Sequence, residues 1–164
     1  MKKILLVAAL LVLAGCDSKP NAPFDLKWGQ SMDSVSFIKN GKCEKKENTT
    51  ICSFDNQKPF NTWSFSNELK FDNDKLIEVV SVFVGTDGEN PSFENFKQKL
   101  SYETDFLLNN GFDKEILNNI KQKCEDSTSC DKTSERAKTA IGNTSIWVTT
   151  TTTRSPVAVV TFAP

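Results

Sequence analysis

Thr62-Trp63-Ser64-Phe65-Ser66-Asn67-Glu68-Leu69-Lys70-Phe71 alternates, with Trp63, Phe65, Asn67, Leu69 and Phe71 on one side, and Asp72-Asn73-Asp74 turns it into a second run, 75–84, that is rich in valine. Period two is the spacing of side chains on one face of a strand. A short Asp/Asn cluster between two such runs is where a chain reverses, because these side chains bond their own backbone and tolerate left-handed φ. The pair predicts an antiparallel hairpin. Two strands alone are marginal in water, so its apolar side demands further strands or a covering helix.

Working outward supplies both. Upstream, 42–46 and 50–54 flank the polar Glu47-Asn48-Thr49 and predict a second hairpin. Before it, Ser31 is placed to cap a helix over 32–40, with Asp33 in its first turn, Met32, Val35 and Ile38 on one face, and Gly41 as the C′ residue. Downstream, the loop 85–91 separates two stretches, 24–85 and 91–164, of similar length. Ser92 then caps a helix to about 109, with Phe93, Phe96, Leu100, Thr104 and Leu107 at helical spacing, and Asn110-Gly111 ends it. Asp113 caps a second helix carrying Ile116, Leu117 and Ile120 toward Cys124. A polar loop, 125–129, and a helical turn over 135–141 follow. A last hairpin, 144–154 with 157–162, reverses about Ser155-Pro156. The expected fold is α+β: an antiparallel sheet with helices packed on one face, a single domain over 24–164 whose two stretches are candidates for related halves.

The amino terminus carries an address. Lys2 and Lys3 precede ten apolar residues, 4–13, and the run closes on Leu13-Ala14-Gly15-Cys16. A membrane-spanning helix needs about 20 apolar residues, so the pattern of a cleaved signal fits better. The tetrapeptide resembles the lipobox of bacterial lipoproteins. That resemblance implies removal of residues 1–15 as a signal peptide, palmitate and diacylglyceryl groups on Cys16, and a folded body held to a membrane facing the periplasm. Three acyl chains anchor stably where one binds only marginally. Asp17 resembles the signal that retains enterobacterial lipoproteins in the inner membrane, with the outer membrane as the alternative. Residues 16–23, with Pro20 and Pro23, read as a tether.

Composition narrows the chemistry. The 164 residues include no histidine, which removes Ser-His-Asp and Cys-His catalysis and the commonest zinc ligand. Without residues 1–15, 18 basic residues face 21 acidic ones, a net charge near −3. Nucleic acid is not an expected partner. Asp72, Asp74, Asp87 and Glu89 lie on loops, but Lys75, Leu76 and Ile77 follow Asp74 where a calcium loop would continue its oxygen ligands. No metal or other cofactor is expected. Cys43, Cys52, Cys124 and Cys130 form an even set in an oxidising compartment, and the local pairing, Cys43–Cys52 with Cys124–Cys130, is favoured because each pair brackets a short polar loop.

Phe24-Asp25-Leu26-Lys27-Trp28-Gly29-Gln30-Ser31, with Leu69-Lys70-Phe71-Asp72-Asn73-Asp74-Lys75-Leu76, resembles the entry and hairpin motifs of small secreted bacterial proteins of the SmpA/OmlA and β-lactamase-inhibitor-protein group, over the first half of the chain. The resemblance implies a protein-binding module and not an enzyme. Candidate binding residues are Trp28, Trp63 and Trp147, with Thr149 and Thr151 in a threonine run that reads as an edge strand open to a partner strand. The expected partner is another envelope protein, the body acting as an inhibitor, an immunity or exclusion protein, or an accessory subunit. The alternative is a carboxylate-dependent enzyme of cell-wall or glycan metabolism, marked by paired carboxylates in a cleft.

Overall fold

The computed structural model describes residues 20–151 and 154–164. The signal segment, Cys16, Asp17 and the start of the tether lie outside the described residues, as do Thr152, Thr153 and the side chains of Thr151 and Arg154.

Strands β1 (Lys42–Lys46), β2 (Thr49–Asp55), β3 (Ser66–Asp72) and β4 (Lys75–Val84) form a meander. A two-residue ribbon, β5 (Thr86–Asp87) with β6 (Asn90–Pro91), leads into helices α1 (Phe93–Asn109), α2 (Lys114–Lys123) and α3 (Ser127–Cys130), and strands β7 (Ser134–Thr139), β8 (Gly142–Thr151) and β9 (Arg154–Ala163) complete the chain. The order in the sheet is β1-β2-β3-β4-β9-β8-β7, every neighbour antiparallel. The fold is therefore α+β, as the patterning predicts. One seven-stranded sheet takes strands from both stretches of the chain, joined where β4 pairs with β9. The stretches differ in content: four strands come from the first, and three helices with three strands from the second.

The central hairpin follows its sequence closely. Asn73 and Asp74 take φ of 47° and 64°, two consecutive left-handed residues as a tight hairpin of matching twist requires. Asn67, Leu69 and Phe71 are buried, but the strand begins only at Ser66, so Phe65 stands 63% exposed at its mouth. Ser92 and Asp113 cap α1 and α2, accepting from the backbone N–H of Asn95 and Ile116. The helices cover the face that carries Leu69, Val79, Phe83, Val160 and Phe162, where Phe96 of α1 stacks on Phe83 at 5.5 Å.

Four local expectations give way to tertiary packing. Residues 32–40 form two 3-10 turns, Met32–Ser34 and Ile38–Asn40, instead of a helix, and Ser31 makes no side-chain cap. Val35 is extended between them, which lets Val35 be buried while Phe37 packs edge-on against Phe54 and Phe60. Gly41 is no left-handed cap; it is small because a Cβ there would lie 2.5 Å from the Phe54 ring. Residues 134–139 are strand β7, not a helical turn, since alternate residues Glu135, Ala137 and Thr139 turn inward opposite β8. The last hairpin closes at Thr151↔Arg154, leaving Ser155 and Pro156 inside β9. Residues 20–23, assigned by composition to the tether, are folded: Ala22 is buried, the Pro20 carbonyl accepts from Trp28 N–H, and Phe24 stacks on Phe106.

Both disulfides are local. Cys43 and Cys52 face each other across β1 and β2, and Cys124–Cys130 ties the end of α2 to α3.

Candidate functional site

The residues singled out from sequence separate to three places. Trp28 belongs to the core: it is buried, and its Nε1 donates to the Ile141 carbonyl at 3.0 Å. Gly142 has a φ of 116°, and a Cβ on it would press on the Trp28 indole nitrogen, so the tryptophan and the turn are fitted to each other. Trp28 plugs the sheet end and offers no surface.

Trp147 is 44% exposed on the sheet face away from the helices. The register places Val82, Val159 and Trp147 in one row across β4, β9 and β8, with Val84, Val157 and Thr149 in the next and Val80, Thr161 and Ser145 on the other side. Their neighbours in sequence, such as Ser81, Phe83, Ala158, Val160, Ile146 and Val148, point into the core. The outer face thus carries an apolar strip, rimmed by Glu68 of β3 and Arg136 of β7.

The threonine run is not a sheet edge. β8 lies between β9 and β7, and beyond β7 its free side is occupied: the Thr133 carbonyl accepts from Val148 N–H, Asp131 Oδ1 accepts from Thr150 N–H at 2.8 Å and from the Thr149 hydroxyl, and the Thr150 hydroxyl donates to the Ser127 carbonyl. The α3 segment, clipped by Cys124–Cys130, fills the place that a partner strand would take. The edges of the sheet are β1 and β7.

Trp63 lies on the helix side, so it does not share a surface with Trp147. Its loop is fixed by a turn in which Ser64 N–H and Oγ both donate to the Asn61 carbonyl and Asn67 Nδ2 donates to Ser64 Oγ. From this turn the Trp63 Nε1 donates to Glu103 Oε2 at 2.7 Å, and Asn61 Nδ2 reaches the same oxygen at 3.4 Å. Glu103 is fully buried in α1, and Oε1 has no partner among the described residues. Desolvation pushes its carboxyl up to about 7, against the opposing pull of the Trp63 and Asn61 donors. One residue earlier, Tyr102 points outward, 46% exposed, its ring 5.7 Å from the Trp63 ring at an interplanar angle of 45°. Thr62, Asn95, Gln98 and Lys99 complete a shallow cleft of about 470 Å³ around the two rings. Lys99 Nζ donates to the Val84 carbonyl, and burial pulls its pKa down.

Sequence reading named Trp63 but missed Glu103 and Tyr102. The signal was present: 100, 103 and 107 lie on one helical stripe, so an acid at 103 falls between Leu100 and Leu107.

No family model matches the chain, and no curated protein or solved structure is significantly similar to it. Among the described residues, no helix is long and apolar enough to cross a membrane, and no group of three or more Cys, Asp or Glu side chains is placed to hold a metal ion.

Proposed function

We propose that this protein is a non-enzymatic binding module, anchored at the bacterial envelope through lipid on Cys16 and facing the periplasm, and that its partner is another envelope protein which docks on the outer face of the sheet. One observation carries the reading: Trp147 with Val82 and Val159 forms a cross-strand apolar row on that outer face. An isolated domain gains little from a tryptophan held half in water, whereas a buried aromatic with a polar rim is the usual centre of a protein interface. The strip has that composition, with Glu68 and Arg136 at its margins. The enzyme alternative asks for paired carboxylates. Among the described residues, the carboxylate with a raised pKa, Glu103, has Trp63 and Asn61 as its partners.

The test is photo-crosslinking in cells, with a photoactivatable residue at position 82 or 147 and the same residue at Lys114 on α2 as reference. A discrete adduct from 82 and 147, absent from 114 and lost when Val159→Lys is added, is expected. Equal labelling from all three positions sinks the surface assignment. Cys16→Ser tests the anchor separately: it should abolish palmitate incorporation, and persistent labelling would refute the lipid site.

A further inference from the structure

The cleft around Trp63 and Tyr102 is not used by the docking face, which lies on the other side of the sheet. We propose that it is a carbohydrate subsite, seating a pyranose ring against the two aromatic faces.

The aromatic pair has the right form. At 5.7 Å and 45° the rings make an open wedge instead of a closed stack, and Tyr102 is well exposed. The face of an aromatic ring is electron-rich and attracts the weakly positive C–H groups that line one side of a sugar. The rim suits the other side. Thr62, Asn95, Gln98 and Lys99 supply a hydroxyl, two amides and an ammonium. Asn95 Oδ1 accepts from Thr86 N–H, Gln98 Nε2 donates to Tyr102 and Lys99 Nζ to the Val84 carbonyl. The capacity left over is a mixed set of donors and acceptors that suits a ring of hydroxyls, with no carboxylate lining the cleft among the described residues. Its volume of about 470 Å³ falls within the ordinary range for small-ligand sites.

The pair is also held still. Trp63 is fixed at its nitrogen by Glu103, whose Oε2 accepts from the indole N–H at 2.7 Å inside the protein. Tyr102 is fixed by Gln98 Nε2, which donates to its hydroxyl at 3.0 Å. A platform ordered beforehand spends less of a weak ligand's affinity on immobilisation.

The chief competitor is a proline-rich peptide, which also docks on grooves lined by Trp and Tyr. Such a peptide presents a row of backbone carbonyls that want a donor. Here the indole N–H is turned inward to Glu103, so Trp63 offers the cleft its ring and no donor, and the donors that remain, on Thr62, Asn95, Gln98 and Lys99, belong to the rim beside the rings, where the hydroxyls of a sugar would meet them.

The full-length protein in detergent, labelled with ¹⁵N, is titrated separately with chitotetraose, cellotetraose, maltotetraose and a proline decamer, each to roughly 10 mM so that even weak binding registers. At least one tetraose should shift the Trp63 indole N–H cross-peak saturably. Tyr102→Ala should weaken that binding by about tenfold or more with its melting temperature unchanged, while Tyr102→Phe stays within about threefold. Trp63 peaks that answer no sugar, a response to the proline decamer alone, or a Tyr102→Ala protein that binds as well as the parent would each overturn the assignment.

Discussion

A carboxylate that ionises with one strong donor and no counter-ion is a charge the fold tolerates poorly, and Glu103 is that group. Its carboxyl is pushed up to about 7 from 4.5 by burial, so the folded state holds the proton more tightly than the unfolded chain. The sign follows. Between these values the unfolded state releases its proton first, and stability falls as pH rises. The stabilising contribution is complete below about 4.5 and lost above about 7, amounting to roughly 3 kcal/mol at 1.36 kcal/mol per pH unit. Glu103→Gln keeps an oxygen for the Trp63 N–H and removes the charge. It should therefore melt higher than the parent at pH 8 and show a flatter pH profile from 4.5 to 7. A lower melting temperature at pH 8 would mean that the carboxylate is better solvated than its burial implies. The same residue marks a limit of sequence reading. An acid on an apolar stripe is visible, but whether it is buried or bends to water depends on Trp63, forty residues away.

Among the elements, the legible ones carried their own boundary chemistry. The Asn73-Asp74 turn, the Ser92 and Asp113 caps and the alternation of β3 are local signals, and each element formed there, with β3 starting at Ser66 although its alternation runs from Thr62. The misread ones lacked such autonomy. A helix of nine residues is marginal in isolation, so over 32–40 the insertion of Phe37 beside Phe54 and Phe60 outweighed the propensity. Strand β7 was hidden for the same reason: its alternation becomes meaningful only with β8 beside it. β1 is the clearest case of an element stabilised from outside, since all five of its residues are exposed and it lies at the sheet edge, attached by one ladder and by Cys43–Cys52. Closing a loop of this size removes about 2–3 kcal/mol of unfolded-state entropy. Cys43→Ser combined with Cys52→Ala should lower stability by about that amount or slightly more, since Cys52 is itself buried, and should speed amide exchange in 42–46. Amides of β8 and β9 should exchange as before while the protein is native. Accelerated exchange spread evenly across the sheet would show that β1 is integral to the core and not an appended edge.

For the whole molecule, strand order is the property that no local pattern could reveal. Hairpins were legible, but the contact that joins them is β4 with β9, pairing Val79–Val84 with Val157–Phe162 across nearly half the chain. Loop closure over such a distance is an entropic cost with no local reward, so the pairing holds only when much apolar surface is buried with it. Here it is: Ala158, Val160 and Phe162 of β9 are fully buried, and β9 also supplies the partner for β8. The last strand of the sequence is therefore an interior strand, fifth of seven and next to the central β4. Removing residues 154–164 would expose the β4 edge and the inner side of β8 together, and would strip three side chains from the core against which α1 packs. The truncated chain is expected to lose cooperative unfolding altogether and be cut rapidly throughout by protease, whereas removal of β1, residues 42–46, in a Cys52→Ala background should leave a cooperative transition at lower denaturant. Limited proteolysis with urea melts followed by tryptophan fluorescence separates the cases. If the chain ending at 153 retains a protected fragment spanning β1 to β4, the first meander is an autonomous unit and the central β9 pairing is only an addition to it.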